Sequence, residues 1–205
     1  MTARLQREGT RVEAFSFPRY GEQSAGPIEE YLNGAYGDPT AINPYAASLF
    51  YAVDRFAASE KIKAALAAND LVILDRYVDS NIAHQGGKIT KPAAQKEFAA
   101  WVYELEYRVL GIPQPDLVII LHVPAAIGQQ FIAKKQTRAY IKGAGRDGHE
   151  SNLAHLVSAE ATYLWLAQAY PHDHAVIECA PADTMRSIED VGEELYRIVT
   201  ARLKT

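Results

Sequence analysis

The sequence predicts a layered α/β domain built around a parallel β-sheet. Four short apolar runs have the length of buried strands, and longer segments with helical composition alternate with them. The runs are residues 12–17, 71–74, 117–123 and 175–177, and the helical segments are residues 44–68, 92–110, 152–169 and 185–203. Nearly continuous hydrophobicity is typical of strands covered on both faces, as in a parallel sheet. Strands that alternate with helices indicate βαβ units.

The N-terminal part of the chain departs from this alternation in two places. Residues 1–8 have the pattern of the end of a helix, and Gly9 is a stop signal for it. We therefore expect the sequence of this α/β protein to begin in the middle of its first helix. Residues 18–43 are rich in Gly, Pro, Tyr and Asn and contain only a short predicted helix at residues 28–32. This composition predicts a binding loop.

The later helices carry boundary signals of their own. Pro44 suits the first turn of the helix at residues 44–68, and Gly111 suits the C-cap of the helix at residues 92–110. Residues 134–150 are polar, basic and rich in Gly, which predicts a mobile flap. We expect residues 1–205 to form one domain that includes this flap.

Composition excludes several classes of protein. With 48% apolar and 22% charged residues over 205 positions, the chain is a globular domain long enough for its own core. A formal net charge of −4 disfavours nucleic-acid binding, and no apolar run reaches the ~20 residues of a membrane span. The single cysteine, Cys179, allows no internal disulfide, and we expect it to pack in the core of a cytoplasmic protein.

Two predicted strands end in residues suited to binding an anion. Asp75 and Arg76 follow one strand, and Arg19 follows another. Open α/β sheets bind ligands outside the carboxyl ends of their strands, and a guanidinium group is a planar set of donors for phosphate. The alternative is a structural Asp–Arg pair that closes the strand.

Tyr51 and Arg55 lie four residues apart on one predicted helix, so both can face one pocket. There Tyr51 stacks on a base and Arg55 bonds its edge. The residues alone favour the alternative, in which Tyr51 packs in the core and Arg55 forms a surface salt bridge with Asp54 or Glu60. His172 and His174 have no third metal ligand at a usual spacing, which predicts a solvated loop rather than a metal site.

Taken together, these segments resemble the thymidylate kinases. The matching segments, in order, are Phe17-Pro18-Arg19-Tyr20-Gly21, Tyr51 to Arg55, Asp75-Arg76-Tyr77 with Ser80-Asn81, Pro113-x-Pro115-Asp116-Leu117-Val118, and Arg146-Asp147-Gly148-His149-Glu150 before a helix with Tyr163. The resemblance covers the chain from about residue 4 to its end. It implies a P-loop NTPase-like three-layer fold of the nucleoside monophosphate kinase type, with the first strand missing. It also implies transfer of the γ-phosphoryl group of ATP to dTMP, giving dTDP, with Mg²⁺, in a cytoplasmic homodimer that contacts through helices.

The resemblance also implies roles for individual residues. Arg76 and Arg19 hold the acceptor phosphate with Asp75 and Ser80 beside it, and Arg146 approaches the transferred group from the flap. Tyr51 stacks on thymine, while Arg55 and Asn81 bond its polar edge. The remaining substrate-binding candidates are Phe17, Pro18, Tyr20, Tyr77, His84, Asp147 and Glu150. His84 and His149 stand where close relatives tend to have Tyr, which affects the discrimination of deoxyribose from ribose.

One motif of such kinases does not occur in these 205 residues, the phosphate-binding loop Gly-x4-Gly-Lys-[Ser/Thr]. The start codon was assigned too late, the chain is a truncated product, or it is a degenerate non-catalytic relative. We favour the first, because the segments after residue 4 are intact, and we expect little or no kinase activity from residues 1–205 alone. Two other functions stay open: a non-catalytic nucleotide-binding module, and a kinase for another pyrimidine nucleotide.

Overall fold

Helices and strands alternate along the computed structural model, which describes residues 1–134 and 152–203. The strands are β1 (Val12–Ser16), β2 (Leu71–Asp75), β3 (Val118–His122) and β4 (His174–Glu178). The helices are α1 (Thr2–Arg7), α2 (Gly26–Leu32), α3 (Pro44–Ala68), α4 (Val78–Gly86), α5 (Pro92–Tyr103), α6 (Ala125–Lys134), α7 (Leu153–Ala169) and α8 (Ile188–Arg202). The predicted α/β class is confirmed.

The predicted helix boundaries follow local capping chemistry. Pro44 opens α3, and the Asn43 side chain accepts a hydrogen bond of 2.9 Å from the backbone N–H of Tyr45. The helix predicted at residues 92–110 continues beyond α5 as a π-helix, Glu104–Val109, before Gly111 turns the chain with φ +62°. Proteins often use such π segments at functional sites.

The four strands form two separate parallel pairs instead of one continuous sheet. β1 pairs with β2 from Val12 opposite Leu71 to Ser16 opposite Asp75, and β3 pairs with β4 in the same way. A cavity of about 1070 Å³ lies between β2 and β3, and it is lined by all of β2 and by β3 from Val118 to Leu121. Each of these strands therefore presents an unpaired edge to the cavity.

The expectation that every strand is covered on both faces is wrong, since Glu13, Ala14 and Ser16 of β1 are exposed. Side chains of β2 are half-buried or exposed, and Leu121 of β3 is exposed. For β2 and β3 the physical reason is the cavity, because it leaves one side of each strand without a neighbour; β1 does not line the cavity, so its exposure is separate.

The main hydrophobic core lies between the β1–β2 pair and four helices. It contains Ile62 of α3, Ile82 of α4, Phe98 of α5 and Leu166 of α7, all fully buried. At Gly87, just after α4, a Cβ atom would lie 2.9 Å from the Ala83 carbonyl oxygen and 3.1 Å from the backbone of α7. Glycine thus permits the close approach of α4 and α7, which carry several site residues.

Two further predictions concern the surroundings of the protein. Cys179 is buried, as expected. None of the helices in the described ranges is both long and apolar enough to cross a membrane. The cellular compartment stays a prediction.

Candidate active site

The carboxyl ends of β1 and β2 lie side by side, because the two strands are parallel and in register to Ser16 and Asp75. The Ser16 hydroxyl donates a hydrogen bond of 3.2 Å to the Asp75 carboxylate. Arg76 follows with a left-handed backbone, φ +63°. Such a conformation is strained for a non-glycine residue, and strain of this kind clusters at functional sites. Asp75 and Arg76 therefore occupy the sheet edge at which α/β proteins bind ligands.

Arg19 follows β1 and is held by a carboxylate of α3. Its backbone N–H donates to Asp54 Oδ2 over 2.8 Å, and its Nε donates to Asp54 Oδ1 over 3.1 Å. A terminal guanidinium nitrogen donates to the Ser24 hydroxyl over 2.8 Å. These contacts determine the direction of the guanidinium group. Asp54, which the sequence offered as a partner for Arg55, pairs with Arg19 instead.

Arg55 forms a buried bidentate ion pair with Glu106 of the π-helix. The two nitrogen–oxygen distances are 2.5 and 2.6 Å, and the side chains are 2% and 0% exposed. Burial disfavours the charged guanidinium, but the charge and hydrogen bonds of Glu106 outweigh it and raise the pKa of Arg55 above its usual value. The surface salt bridge considered from the sequence is thus wrong, since Glu60 pairs with Lys63. Sequence reasoning missed Glu106 because it lies 51 residues from Arg55.

Asn81 of α4 joins the same network. Its amide nitrogen donates to Glu106 Oε1 over 3.0 Å and to the Ser48 carbonyl oxygen over 3.2 Å. Both partners are acceptors, so the orientation of the amide is determined. The amide oxygen is buried and has no hydrogen-bond partner among the described residues. A buried acceptor left unpaired is costly, and a donor on a bound ligand would satisfy it.

The aromatic candidates divide between two hydrophobic clusters. Tyr51 is half-buried, and its ring meets that of Tyr31 edge-on at 6.3 Å. Tyr20 packs against the same cluster. Phe17 and Tyr77 are buried in the main core, with ring centroids 5.8 Å apart. Burial raises the pKa of Tyr77 far above its usual value, so its hydroxyl stays protonated.

A second polar group lies at the other side of α4. The hydroxyls of Ser80 and Tyr163 are 2.6 Å apart. His84 Nε2 lies 3.3 Å from a terminal nitrogen of Arg76, and His84 Nδ1 lies 3.3 Å from His155 Nε2. Because Arg76 bonds His84 and Asp75 bonds Ser16, the two neighbours need no structural pair with each other. His155 was not predicted, since nothing in its local sequence marks it.

The candidate site residues Arg19, Arg55 and Arg76 do not all line the cavity between β2 and β3. Asp75, Arg76, Ser80 and Tyr163 line it at the carboxyl end of β2, whereas Arg19 and Arg55 are not among its lining residues. A pocket shared by all three stays a prediction. Arg146, Asp147 and Glu150, with most of the predicted flap at residues 134–150, lie outside the described residues.

Of the two histidines predicted to lie in a solvated loop, His172 is an exposed turn residue, as predicted, whereas His174 is not. His174 begins β4, and its Nε2 lies 2.6 Å from Asp79 Oδ2, with both side chains buried. The Tyr103 hydroxyl donates to the same carboxylate over 3.1 Å. The solvated-loop interpretation is therefore wrong for His174, because tertiary packing of β4 against α4 supplies an acidic partner. The described ranges contain no group of three or more His, Cys, Asp or Glu that could hold a metal ion.

Comparisons with known proteins agree with this architecture. The family model described as thymidylate kinase matches residues 1–177. A thymidylate kinase of Mycobacterium tuberculosis is 36% identical over 160 residues, covering 78% of this chain and 73% of that protein. One from Latilactobacillus sakei is 32% identical over 207 residues, covering 100% of this chain and 84% of that protein. A solved structure of thymidylate kinase from Candida albicans has a similar fold, with a TM-score of 0.66 at 20% identity, covering 93% of this chain and 80% of that one.

Proposed function

The chain belongs to the thymidylate kinase family, nucleoside monophosphate kinases that act on dTMP, and we propose that dTMP binds between α3 and α4 with its phosphate at Arg76. The observation that carries this placement is the buried network of Arg55, Glu106 and Asn81, which leaves the Asn81 amide oxygen unpaired. Within this network, Asn81 lies on α4 five positions after Arg76. A nucleotide bound with its base at Asn81 and its phosphate at Arg76 would satisfy both groups.

The base end is suited to thymine. Thymine and uracil carry an N–H at ring position 3, and this donor matches the unpaired oxygen of Asn81. Cytosine has an acceptor at that position and would face the oxygen with a second lone pair. Glu106 holds the Asn81 amide in the orientation that makes this distinction, and Arg55 and Tyr51 supply a donor and a stacking ring beside it.

At the phosphate end, the reaction needs positioning and charge neutralisation more than covalent catalysis. An anionic oxygen of the dTMP phosphate attacks the γ-phosphorus, and the bond to the β-phosphate oxygen breaks as the nucleoside diphosphate leaves. The attacking oxygen is already ionised, so no strong general base is required. We propose that Arg76 supplies the positive charge at the phosphate, together with Arg19, which follows β1, and with Arg146.

For the donor we propose ATP with Mg²⁺. Mg²⁺ usually keeps several waters and takes one or two carboxylates together with substrate phosphates. Asp75 is an exposed carboxylate at the strand end, and its donor chemistry fits that of a single protein ligand. Bound there, the ion would neutralise charge on the phosphates; the contribution of the chain is to present the carboxylate next to Arg76.

The cavity between β2 and β3 supports a proposal for the phosphate-binding loop. β2 and β3 each have an unpaired edge at the cavity, and a fifth strand between them would pair with both edges. Such a strand would have its carboxyl end beside Asp75, at the same end of the sheet as Arg76. We propose that a strand in this position carries the loop that holds the ATP phosphates.

The homodimer is proposed from an exposed apolar face of α3. Leu49, Val53 and Phe56 form one stripe along this helix and are 45%, 50% and 50% exposed. Exposed stripes of this kind mark interaction surfaces. A dimer through α3 would stabilise the helix whose buried side carries Asp54 and Arg55.

Replacing Val53 and Phe56 by Glu is therefore expected to convert a dimer into a monomer, because four buried charges per interface cannot be solvated. Light scattering coupled to size-exclusion chromatography measures the mass. Lys61→Glu, at an exposed position of the same helix, is the matched control and should stay dimeric. A wild-type chain of monomeric mass would refute the proposal.

Calorimetry tests the dTMP site without requiring turnover. We expect dTMP to bind more tightly than thymidine, and dCMP to bind weakly or not at all. Arg76→Ala should reduce dTMP affinity roughly 10- to 100-fold, about the value of one hydrogen bond to a charged group, and leave thymidine affinity almost unchanged. Lys63→Ala on exposed α3 surface is the control. Equal affinities for dTMP and thymidine would argue against the phosphate site.

The same titrations address the other two functions. The comparisons do not favour a non-catalytic module. A panel of dTMP, dUMP and UMP measures the base and sugar preference, which the His84 position makes informative. Preference for dUMP or UMP over dTMP would assign the chain to another pyrimidine nucleotide.

A further inference from the structure

We propose that His84 and His155 act as a neutral hydrogen-bonded pair that positions the Arg76 guanidinium for the substrate phosphate; this rests on the dTMP site proposed above. The pair connects three elements. Arg76 directly follows β2, His84 lies on α4 and His155 lies on α7. The two contacts are 3.3 Å each, and the imidazole rings are stacked with centroids 5.5 Å apart.

The direction of both hydrogen bonds, Arg76 to His84 and His84 to His155, follows from the guanidinium group of Arg76. A guanidinium group has only donors, so His84 Nε2 must accept from Arg76. His84 must then be neutral and carry its proton on Nδ1. That N–H donates to His155 Nε2, which must accept, so His155 also carries its proton on Nδ1. Both tautomers are thus determined by the charge of Arg76.

The surroundings of His155 hold it in the neutral form that this arrangement requires. Burial, aided by the positive charge of Lys88, lowers the pKa of His155 to about 4. His155 is buried at the first turn of α7, where its backbone N–H is capped by the Asn152 side chain. Among the described elements, the ionisable groups that face the pair are Arg76, Lys88 and Tyr163, whose ring meets His84 edge-on at 6.1 Å.

The pair matters because Arg76 is an exposed residue. A long exposed side chain loses rotamer freedom when it binds a ligand, and a partner that orders it in advance reduces that loss. The left-handed backbone of Arg76 determines the direction of its Cα–Cβ bond, and His84 accepts a hydrogen bond from one of its terminal nitrogens. Close packing of α4 on α7 at Gly87 keeps His84 and His155 at a constant separation.

The tautomers are measured on the ligand-free protein by nitrogen-15 NMR of the histidine rings. We expect both His84 and His155 to show a protonated Nδ1 and an unprotonated Nε2 at pH 7.5. The His155 signals should keep this form until the pH approaches its pKa of about 4. A proton on Nε2 of His84 would overturn the proposal, whatever the protein binds.

Binding measurements test the positioning role. His84→Gln keeps an acceptor for Arg76 and a donor for His155, whereas His84→Phe keeps the ring shape and removes both. We expect His84→Phe to weaken dTMP binding roughly 5- to 20-fold, which is less than the full value of a hydrogen bond to a charged group because Arg76 itself remains. His84→Gln should restore most of that affinity. Thymidine, which lacks the phosphate, should lose clearly less affinity than dTMP in His84→Phe.

The outcomes separate this proposal from the dTMP site itself. If His84→Phe weakens thymidine and dTMP equally, His84 contacts the sugar or base and the positioning role is refuted. If His84→Gln is as weak as His84→Phe while both remain folded by circular dichroism, the hydrogen-bond role is refuted. If the wild type binds no dTMP, the proposed function fails, and the NMR tautomers still decide whether the pair exists.

Discussion

Extending the chain ahead of Met1 by an apolar strand and a Gly-x4-Gly-Lys-[Ser/Thr] loop is expected to raise both its stability and its ATP-dependent turnover of dTMP. The strand would fill the cavity between β2 and β3 and pair with both free edges. Each added backbone hydrogen bond contributes about 0.5–1.5 kcal/mol, so a strand as long as β2 would contribute several kcal/mol. The loop would supply backbone donors and a lysine for the donor phosphates.

Urea unfolding and a coupled kinase assay measure the two effects. We expect residues 1–205 alone to show little or no turnover, and the extended chain to reach the roughly 1–100 s⁻¹ of typical kinases. Changing only the loop lysine to Ala is the matched control, which should keep the added stability and lose the turnover. Normal dTMP phosphorylation by residues 1–205, or an extension that leaves the urea midpoint unchanged, would contradict the proposal.

Glu106→Ala should be severely destabilising, by about 3–5 kcal/mol, because it leaves the Arg55 guanidinium buried without a counter-charge. It also removes the acceptor that orients the Asn81 amide. Chemical unfolding followed by circular dichroism gives the free energy. Any folded fraction of the variant should bind dTMP weakly and discriminate poorly against dCMP.

Two variants serve as controls for this effect. Glu60→Ala removes an exposed partner of Lys63 and should cost less than about 1 kcal/mol. Replacing Arg55 and Glu106 together by Met and Leu removes both charges, and should recover most of the stability while abolishing the preference for thymine. A loss below about 1 kcal/mol for Glu106→Ala would show that Arg55 finds another partner or reaches water.

The elements that were predicted well have strong local signals. The boundaries of α3 coincide with the prediction because Asn43 and Pro44 cap its first turn and its apolar residues extend over many turns. The helices α4 and α6 were not predicted. α4 is short, and polar side chains interrupt its apolar pattern because several of them are buried in the site. α6 adjoins the basic segment at residues 134–150, which concealed its end.

The candidate site shows the same division. Asp75 and Arg76 were found from the sequence because a strand end is a local feature with a general rule attached to it. Glu106 and His155 carry no local signal, and neither does the acidic partner of His174. Each acquires its role only when another helix or strand packs against it. The carboxylate pairing of Arg55 was wrongly assigned for this reason, since nearby Asp54 and Glu60 were the partners visible along the chain.

Local order along the chain determined the class of the protein: where strands end, which residues follow them, and the family that this order resembles. Folding decided which side chains meet. It paired Arg55 with Glu106, left the Asn81 oxygen unpaired, placed His84 between Arg76 and His155, and opened a gap between β2 and β3. The reason is that hydrophobic periodicity and capping act over a few residues, whereas ion pairs, hydrogen-bond direction and strand pairing depend on positions that only the packed chain brings together.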